Sequence, residues 1–369
     1  MDTTSPVASL QHQFPCKQCG ANLQFAPGTD SLKCPYCGAA NAVPKSPDTI
    51  QELDFIAYVN QLPDSDSVHD TIVVKCTCCA AETTLAPDVT ASVCPFCGTG
   101  IVATGSSKKA IRPGALLPFK VKQNEAGEMF RQWVAGLWFA PNALKKGAER
   151  AAIKGAYVPA WTYDADAESD YTGERGEDYW ETETYTETDA NGNAVTRTRQ
   201  VQRTRWWPAA GHVSNRFDDV LVMATETLPR KCLDHLEPWD LPALLPYGDE
   251  YLSGFVAESY QVGLADGFER AKGIMDPVIR QTVCRDIGGD HQRIGSLNTE
   301  YDQITFKHLL LPVWISAYTF QNKIFRFLVN ARTGEVQGER PYSWIKITLA
   351  VLAVIAILVT IWLIAQGHN

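Results

Sequence analysis

The hydrophobic pattern is simplest at residues 347–365, nineteen consecutive positions without a charge, of which only Thr348 and Thr360 are polar. At about 1.5 Å of rise per residue such a helix is roughly 28 Å long, close to the hydrocarbon thickness of a bilayer. A core helix of a soluble protein is apolar on one stripe, and this segment is apolar all round. Tyr342, Trp344 and Trp362 stand where interfacial aromatic residues belong. A transmembrane helix is therefore predicted at residues 345–365. Lys323, Arg326, Arg332, Arg340 and Lys346 precede or open it, and no Lys or Arg follows. The positive-inside rule then puts the long N-terminal part in the cytoplasm. The expectation is a tail-anchored, single-pass protein of the cell (inner) membrane.

Upstream, the pattern from Leu116 onward is that of an α+β domain, and parts of it recur. The motif LLPF at residues 116–119 returns as LLPY at 244–247. Helix-like amphipathic stretches follow at 125–137 and 251–274. Each half then reaches a Pro-x-Trp strand, with Pro159 and Trp161 in one and Pro312 and Trp314 in the other. A duplicated α+β domain is predicted, its halves at 116–235 and 236–342. Alternation from Trp314 to Val329 reads as a hairpin turning at Gln321-Asn322.

Within the first half, residues 181–189 are acidic and Thr-rich, residues 196–205 are basic and Thr-rich, and Asn191-Gly192 lies between them as a turn signal. A three-residue loop places Glu183 opposite Arg199, so that charges pair across the strands; a two-residue loop shifts that register. Arg197, Arg199, Arg203, Arg205, Trp206 and Trp207 form a basic, aromatic patch. It reads either as a contact for an acidic partner or as a solvated hairpin neutralised by its own acidic strand.

The N-terminal region carries the chemistry. Cys16-x2-Cys19 is followed after 14 residues by Cys34-x2-Cys37, and the set recurs sixty positions later as Cys76, Cys79, Cys94 and Cys97. The match continues outside the cysteines: Ala26-Pro27 maps to Ala86-Pro87, and CPYCG at 34–38 to CPFCG at 94–98. Two residues between cysteines let one tight turn aim both thiolates at one ion, and two such turns complete a tetrahedral four-sulfur site. With four protein ligands no position is open to water, so two structural Zn²⁺ ions are the expected cofactors, with an iron–sulfur site or redox dithiols as alternatives. Ribbon 1 is assigned to 12–45, a linker to 46–70 with one short helix near Phe55, and ribbon 2 to 71–105; residues 105–114 read as a second linker. Cys78 competes with Cys76 and Cys79 as a ligand, and the sixty-residue register leaves it out. In ribbon 2, Ala80 stands where the other knuckles have glycine.

Composition narrows the role. The chain has 369 residues, 45% apolar and 20% charged, with a net charge of −9. Such a balance excludes wholesale disorder and gives no general attraction to nucleic acid. Over residues 1–110 six Lys/Arg face ten Asp/Glu, and each four-thiolate zinc centre adds negative charge, so the ribbons suit protein contacts better than phosphates. Eight of the 11 cysteines fall in the four Cys-x-x-Cys pairs. With no signal-peptide pattern over Met1 to Leu10, this points to metal binding in a reducing compartment. The seven histidines are dispersed, and no phosphate-binding loop, nucleophile elbow or two-His metalloprotease helix is present. A non-enzymatic role is expected.

Tandem CPxCG ribbons, the repeated LLPF/LLPY and VPAW/LPVW segments and the C-terminal apolar helix together resemble the bacterial TFIIB-type zinc-ribbon-containing membrane proteins, some of which are labelled primosomal helicase-like. The resemblance covers most of the chain and implies a membrane adaptor or scaffold in envelope stress. Its ribbons would dock stomatin/flotillin-like (SPFH) or phage-shock-protein-A-like partners, a paralogue or a second copy of the chain. The rival expectation is a membrane-tethered nucleic-acid-binding protein linked to replication.

Overall fold

The computed structural model describes residues 14–44, 48–61, 68–84, 91–102, 106–141, 152–188, 193–320, 323–339 and 342–366. In chain order, ribbon 1 holds β1 (Gln24–Phe25), β2 (Ser31–Lys33) and β3 (Ala40–Ala42). Next come β4 (Leu53–Asp54) and α1 (Phe55–Gln61). Ribbon 2 holds β5 (Val68–Lys75), β6 (Glu82–Thr84), β7 (Ala91–Val93) and β8 (Gly100–Val102), and β9 (Ser106–Ile111) follows. The body starts with β10 (Ala115–Leu116), α2 (Gln123–Gly136), β11 (Lys154–Thr188) and β12 (Ala194–Met223). Then come α3 (Arg230–Asp234), β13 (Leu245–Pro246), α4 (Asp249–Leu252), β14 (Val256–Glu258) and α5 (Leu264–Ile287). The last elements are β15 (His291–Phe320), β16 (Lys323–Asn330), β17 (Val336–Gly338) and α6 (Trp344–Gln366).

The centre of the body is the antiparallel pair β11·β15, which runs from Lys154 opposite Ile315 to Gly176 opposite His291. Residues 156–163 of β11 are buried without a break, so both faces are covered there; burial then alternates through Ala165, Ala167, Ser169 and Tyr171. That one buried face packs on α5, whose buried positions Phe268, Ala271, Met275, Ile279, Val283 and Ile287 form a single helical stripe.

Matching contacts flank this pair. β10 lies parallel to β15, with Leu116 opposite Leu310, and β14 lies parallel to β11, with Tyr157 opposite Ala257. Each long strand then acquires a hairpin partner, β12 from Ala160 and β16 from Val313. The two tryptophans do equivalent work. Trp161 Nε1 donates to the Val262 carbonyl (2.9 Å), just before α5, and Trp314 Nε1 donates to the Val121 carbonyl (2.8 Å), just before α2. Main-chain bonds repeat as well: Ala224 N donates to Pro159 O and Ala331 N to Pro312 O. By these contacts the counterpart of β10 is β14. The LLPY segment instead contributes β13, which pairs antiparallel with β10 itself. The second long helix accordingly starts at Leu264, after a short α4 and a strand, and runs through Pro277 to Ile287.

Both segments read as linkers are built into the fold. β4 pairs with β15, and Phe55 at the head of α1 is buried against Tyr163 and Phe268. Lys307 on β15, nearly buried, lies 3.0 Å from Glu52 and 2.7 Å from Asp219, which ties the segment down by charge as well. β9 pairs with β5 along its full length. Few apolar residues suffice because neighbouring strands supply the hydrogen bonds.

Beyond Gly176, β11 and β12 leave β15 and continue as a two-stranded arm through Thr188 opposite Ala194. Glu183 faces Arg199, the register of the three-residue loop; the Asn191-Gly192 and Gln321-Asn322 turns lie outside the described residues.

Candidate metal centres and the apolar helix

Each ribbon brings its four predicted cysteines together. Cys16, Cys19, Cys34 and Cys37 lie with all four sulfurs within 4.8 Å of one another, and so do Cys76, Cys79, Cys94 and Cys97. The sulfurs of Cys16 and Cys37, Cys19 and Cys34, and Cys76 and Cys97 are 3.5 Å apart, and those of Cys79 and Cys94 3.6 Å. A disulfide would hold its sulfurs at about 2.05 Å. Four thiolates about 2.3 Å from a tetrahedral ion stand roughly 3.8 Å apart. The donor set and its spacing thus fit a four-sulfur metal ion. Cys78 is exposed and outside the cluster.

The local chain explains the geometry. In every knuckle the residue after the second cysteine returns its N–H to the carbonyl of the first: Gly20 to Cys16, Gly38 to Cys34, Ala80 to Cys76 and Gly98 to Cys94. This closure needs a left-handed backbone, with φ of 76° at Gly20, 75° at Gly38, 78° at Gly98 and 59° at Ala80. Glycine adopts it freely and alanine under strain. Backbone N–H groups also point at sulfur, from Gln18 to Cys16 and from Cys37 to Cys34. The Cys37 N–H is the largest influence holding the Cys34 thiol down to about 6, while at Cys37 the Ala39 N–H is outweighed by burial and the neighbouring sulfurs, which together push that thiol up to about 12.

The two centres sit differently in the molecule. Ribbon 2 is part of the core. Cys76, Cys94 and Cys97 are buried, β6 pairs with β14, and Arg326 Nε donates to the carbonyl of Phe96, whose side chain is 0% exposed. Ribbon 1 rests on the body by its far end: Gly28 N donates to Phe119 O, and the Phe25 ring packs on Tyr251. Only the outer side of its knuckles faces solvent: Cys19 and Cys37 are exposed and Tyr36, the counterpart of Phe96, is 84% exposed, while Cys16 and Cys34 are buried. Sequence spacing carried no sign of this difference beyond Tyr at one position and Phe at the other.

The basic patch is spoken for. Arg197 pairs with Glu187, Arg199 with Glu183 and Arg203 with Glu181, while Arg205 lies over the Tyr179 ring and Trp206 beneath Arg293. Such exposed pairs add little stability each, but they neutralise the arm. Besides the two cysteine clusters, an acidic group of Asp164, Asp218 and Asp219 lies beside Lys307, which counters its charge.

Helix α6 is long and apolar enough to cross a membrane, and none of its residues from Trp344 to Ile364 is buried against the rest of the chain.

The chain is similar to the uncharacterized protein YdjG of Bacillus subtilis (strain 168), with 25% identity over 342 residues that span 89% of this chain and 90% of that protein. No protein-family model and no solved structure matches it.

Proposed function

We propose that this chain is a membrane-anchored adaptor that acts by binding, with two structural zinc ions, one holding its core together and one presenting a docking knuckle. α6 crosses the inner membrane and the remainder faces the cytoplasm. The body is an internal duplication, a reading supported by the matched strand pairings and the equivalent Trp161 and Trp314 bonds. The observation that carries the proposal is the asymmetry of the knuckles: Tyr36 is 84% exposed where Phe96 is 0%. A metal-stiffened loop offering one exposed aromatic ring loses little entropy on binding, which suits a protein hot spot. The paired arginines of the arm favour a protein partner over nucleic acid, since their charge is already committed to carboxylates. SPFH-type and phage-shock-protein-A-like proteins are the partner classes suggested by the family resemblance.

The test is an affinity pull-down of full-length protein from detergent-solubilised membranes, comparing wild type with Tyr36→Ala, and metal content measured on both. Loss of a specific protein partner with two zinc ions retained supports the reading. Unchanged partners, or enrichment of nuclease-sensitive material, would remove ribbon 1 from that role.

A further inference from the structure

The loop after α2 is out of place for a surface facing water. Trp138 is 83% exposed and Phe139 43%, side by side, while their neighbours Leu137 and Ala140 are buried. The loop is tied to the start of the apolar helix. Ser343 N donates to the Phe139 carbonyl at 2.7 Å, and the Lys346 ammonium donates to the Ala140 carbonyl at 2.8 Å. Phe139 also lines an apolar groove of about 280 Å³ with Ile347, Ala350, Val351, Val354 and Ile355 of α6. Val351 is seven residues past Trp344, about 10 Å further along the helix axis. Phe139 therefore flanks the first turns of the helix itself, at the depth of its apolar side chains.

We propose that residues 137–140 form a second membrane contact, Trp138 and Phe139 entering the interfacial layer of the bilayer that α6 crosses; this rests on the reading of α6 as a membrane span. The occupant follows from continuity: the groove is walled by the spanning helix, so what covers α6 there also covers Phe139. Tyr342 and Trp344, exposed at the same level, complete an aromatic belt with Trp138. Lys346 keeps its charge on the Ala140 carbonyl and at the headgroup level, as a snorkelling lysine does. The contact also fixes how the body stands on the membrane. Leu137 and Ala140 belong to the same apolar cluster as Cys16, Leu23 and Cys34 of ribbon 1. The seat of the loop thus sets the direction in which ribbon 1 faces.

The experiment uses full-length protein in phosphatidylcholine/phosphatidylglycerol vesicles, with p-benzoylphenylalanine placed singly at Trp138, Phe139, Leu352 of α6 or Trp180 of the arm. All four side chains are exposed, so the fold tolerates the change. Illumination followed by mass spectrometry is expected to give lipid adducts at 138, 139 and 352 and none at 180. Lipid at 352 but not at 138 or 139 would overturn the second contact and leave the membrane span standing. Adducts at 138 and 139 to another copy of the protein would overturn it in favour of a protein interface. Absence of lipid at 352 would overturn both.

Discussion

Glu258 is a buried carboxyl group whose replacement should change how stability depends on pH. It lies at the end of β14, opposite Thr83 of ribbon 2, and is 3% exposed. Thr225 and Thr227 donate to its Oε1, while Oε2 has no partner among the described residues. Burial raises its pKa from 4.5 to about 8, against the smaller pull of the two threonines. A carboxyl whose folded pKa is raised binds its proton more tightly when folded. Its burial therefore costs nothing below about pH 4.5, and stability falls as pH climbs from there to about 8. Each pH unit in that window is about 1.4 kcal/mol, so between about pH 6 and pH 8 the wild type loses at most roughly 2–3 kcal/mol. Glu258→Gln keeps the shape and the acceptor for the threonines and cannot ionise. The assay is denaturant unfolding in detergent with zinc saturating, wild type against Glu258→Gln, at several pH values. The variant should gain on the wild type progressively toward pH 8 and lose that lead near pH 5. Because thiolate–zinc bonds weaken in acid for both proteins, the difference between the curves is the quantity read. Parallel curves would show that Glu258 is not held neutral by its surroundings and would refute the argument.

Ala80→Gly should stabilise ribbon 2 by about 0.5–1 kcal/mol, because glycine takes the left-handed backbone without strain; chelator competition at that centre should shift toward tighter metal retention. Cys94→Ser should destabilise the whole body, since that thiol and Phe96 lie in a central apolar cluster, whereas Cys34→Ser should open ribbon 1 first and weaken the body less, through the cluster that Cys34 shares with Leu116 and Phe119; limited proteolysis mapped by mass spectrometry reads the order of opening. Trp161→Phe and Trp314→Phe should each cost about 1–3 kcal/mol by leaving a buried carbonyl without its donor. Equal losses in denaturant unfolding are expected from the equivalence of the two sites, and a threefold disparity would contradict it.

The cysteine clusters were legible because the constraint is local: two residues between thiols dictate a turn, and the sixty-residue repeat fixed which cysteines belong together. The strand pairings keep that offset, with Lys33 opposite Ala40 and Val93 opposite Gly100. The apolar helix was legible for the same reason, since length and composition define it. Long-range docking was not. Phe55 read as the start of a short helix in an acidic linker, and only the tertiary fold supplies Tyr163 and Phe268 to cover it. The extent of β11 was hidden because residues beyond Gly176 are exposed on both faces and carry no burial alternation. The second helix was placed too early because LLPY mimics LLPF in letters, while β13 pairs with β10 and it is β14 that pairs parallel with β11 as β10 does with β15. Pro277 ordinarily marks a helix end, yet α5 continues past it, its buried stripe reaching Ile287.

The crossed strands have a consequence for what can fold alone. β10 pairs with β15, and β14 pairs with β11, so under the proposed duplication each half lends a short strand to the other. Each tryptophan likewise reaches the loop that opens the opposite helix. A half expressed by itself would carry a strand with nowhere to lie and an indole with no acceptor. Two identical halves, however, could close on one another about a two-fold axis as an exchanged dimer. On the proposed duplication, the fused chain is in that sense a dimer whose subunits can no longer dissociate or choose another partner.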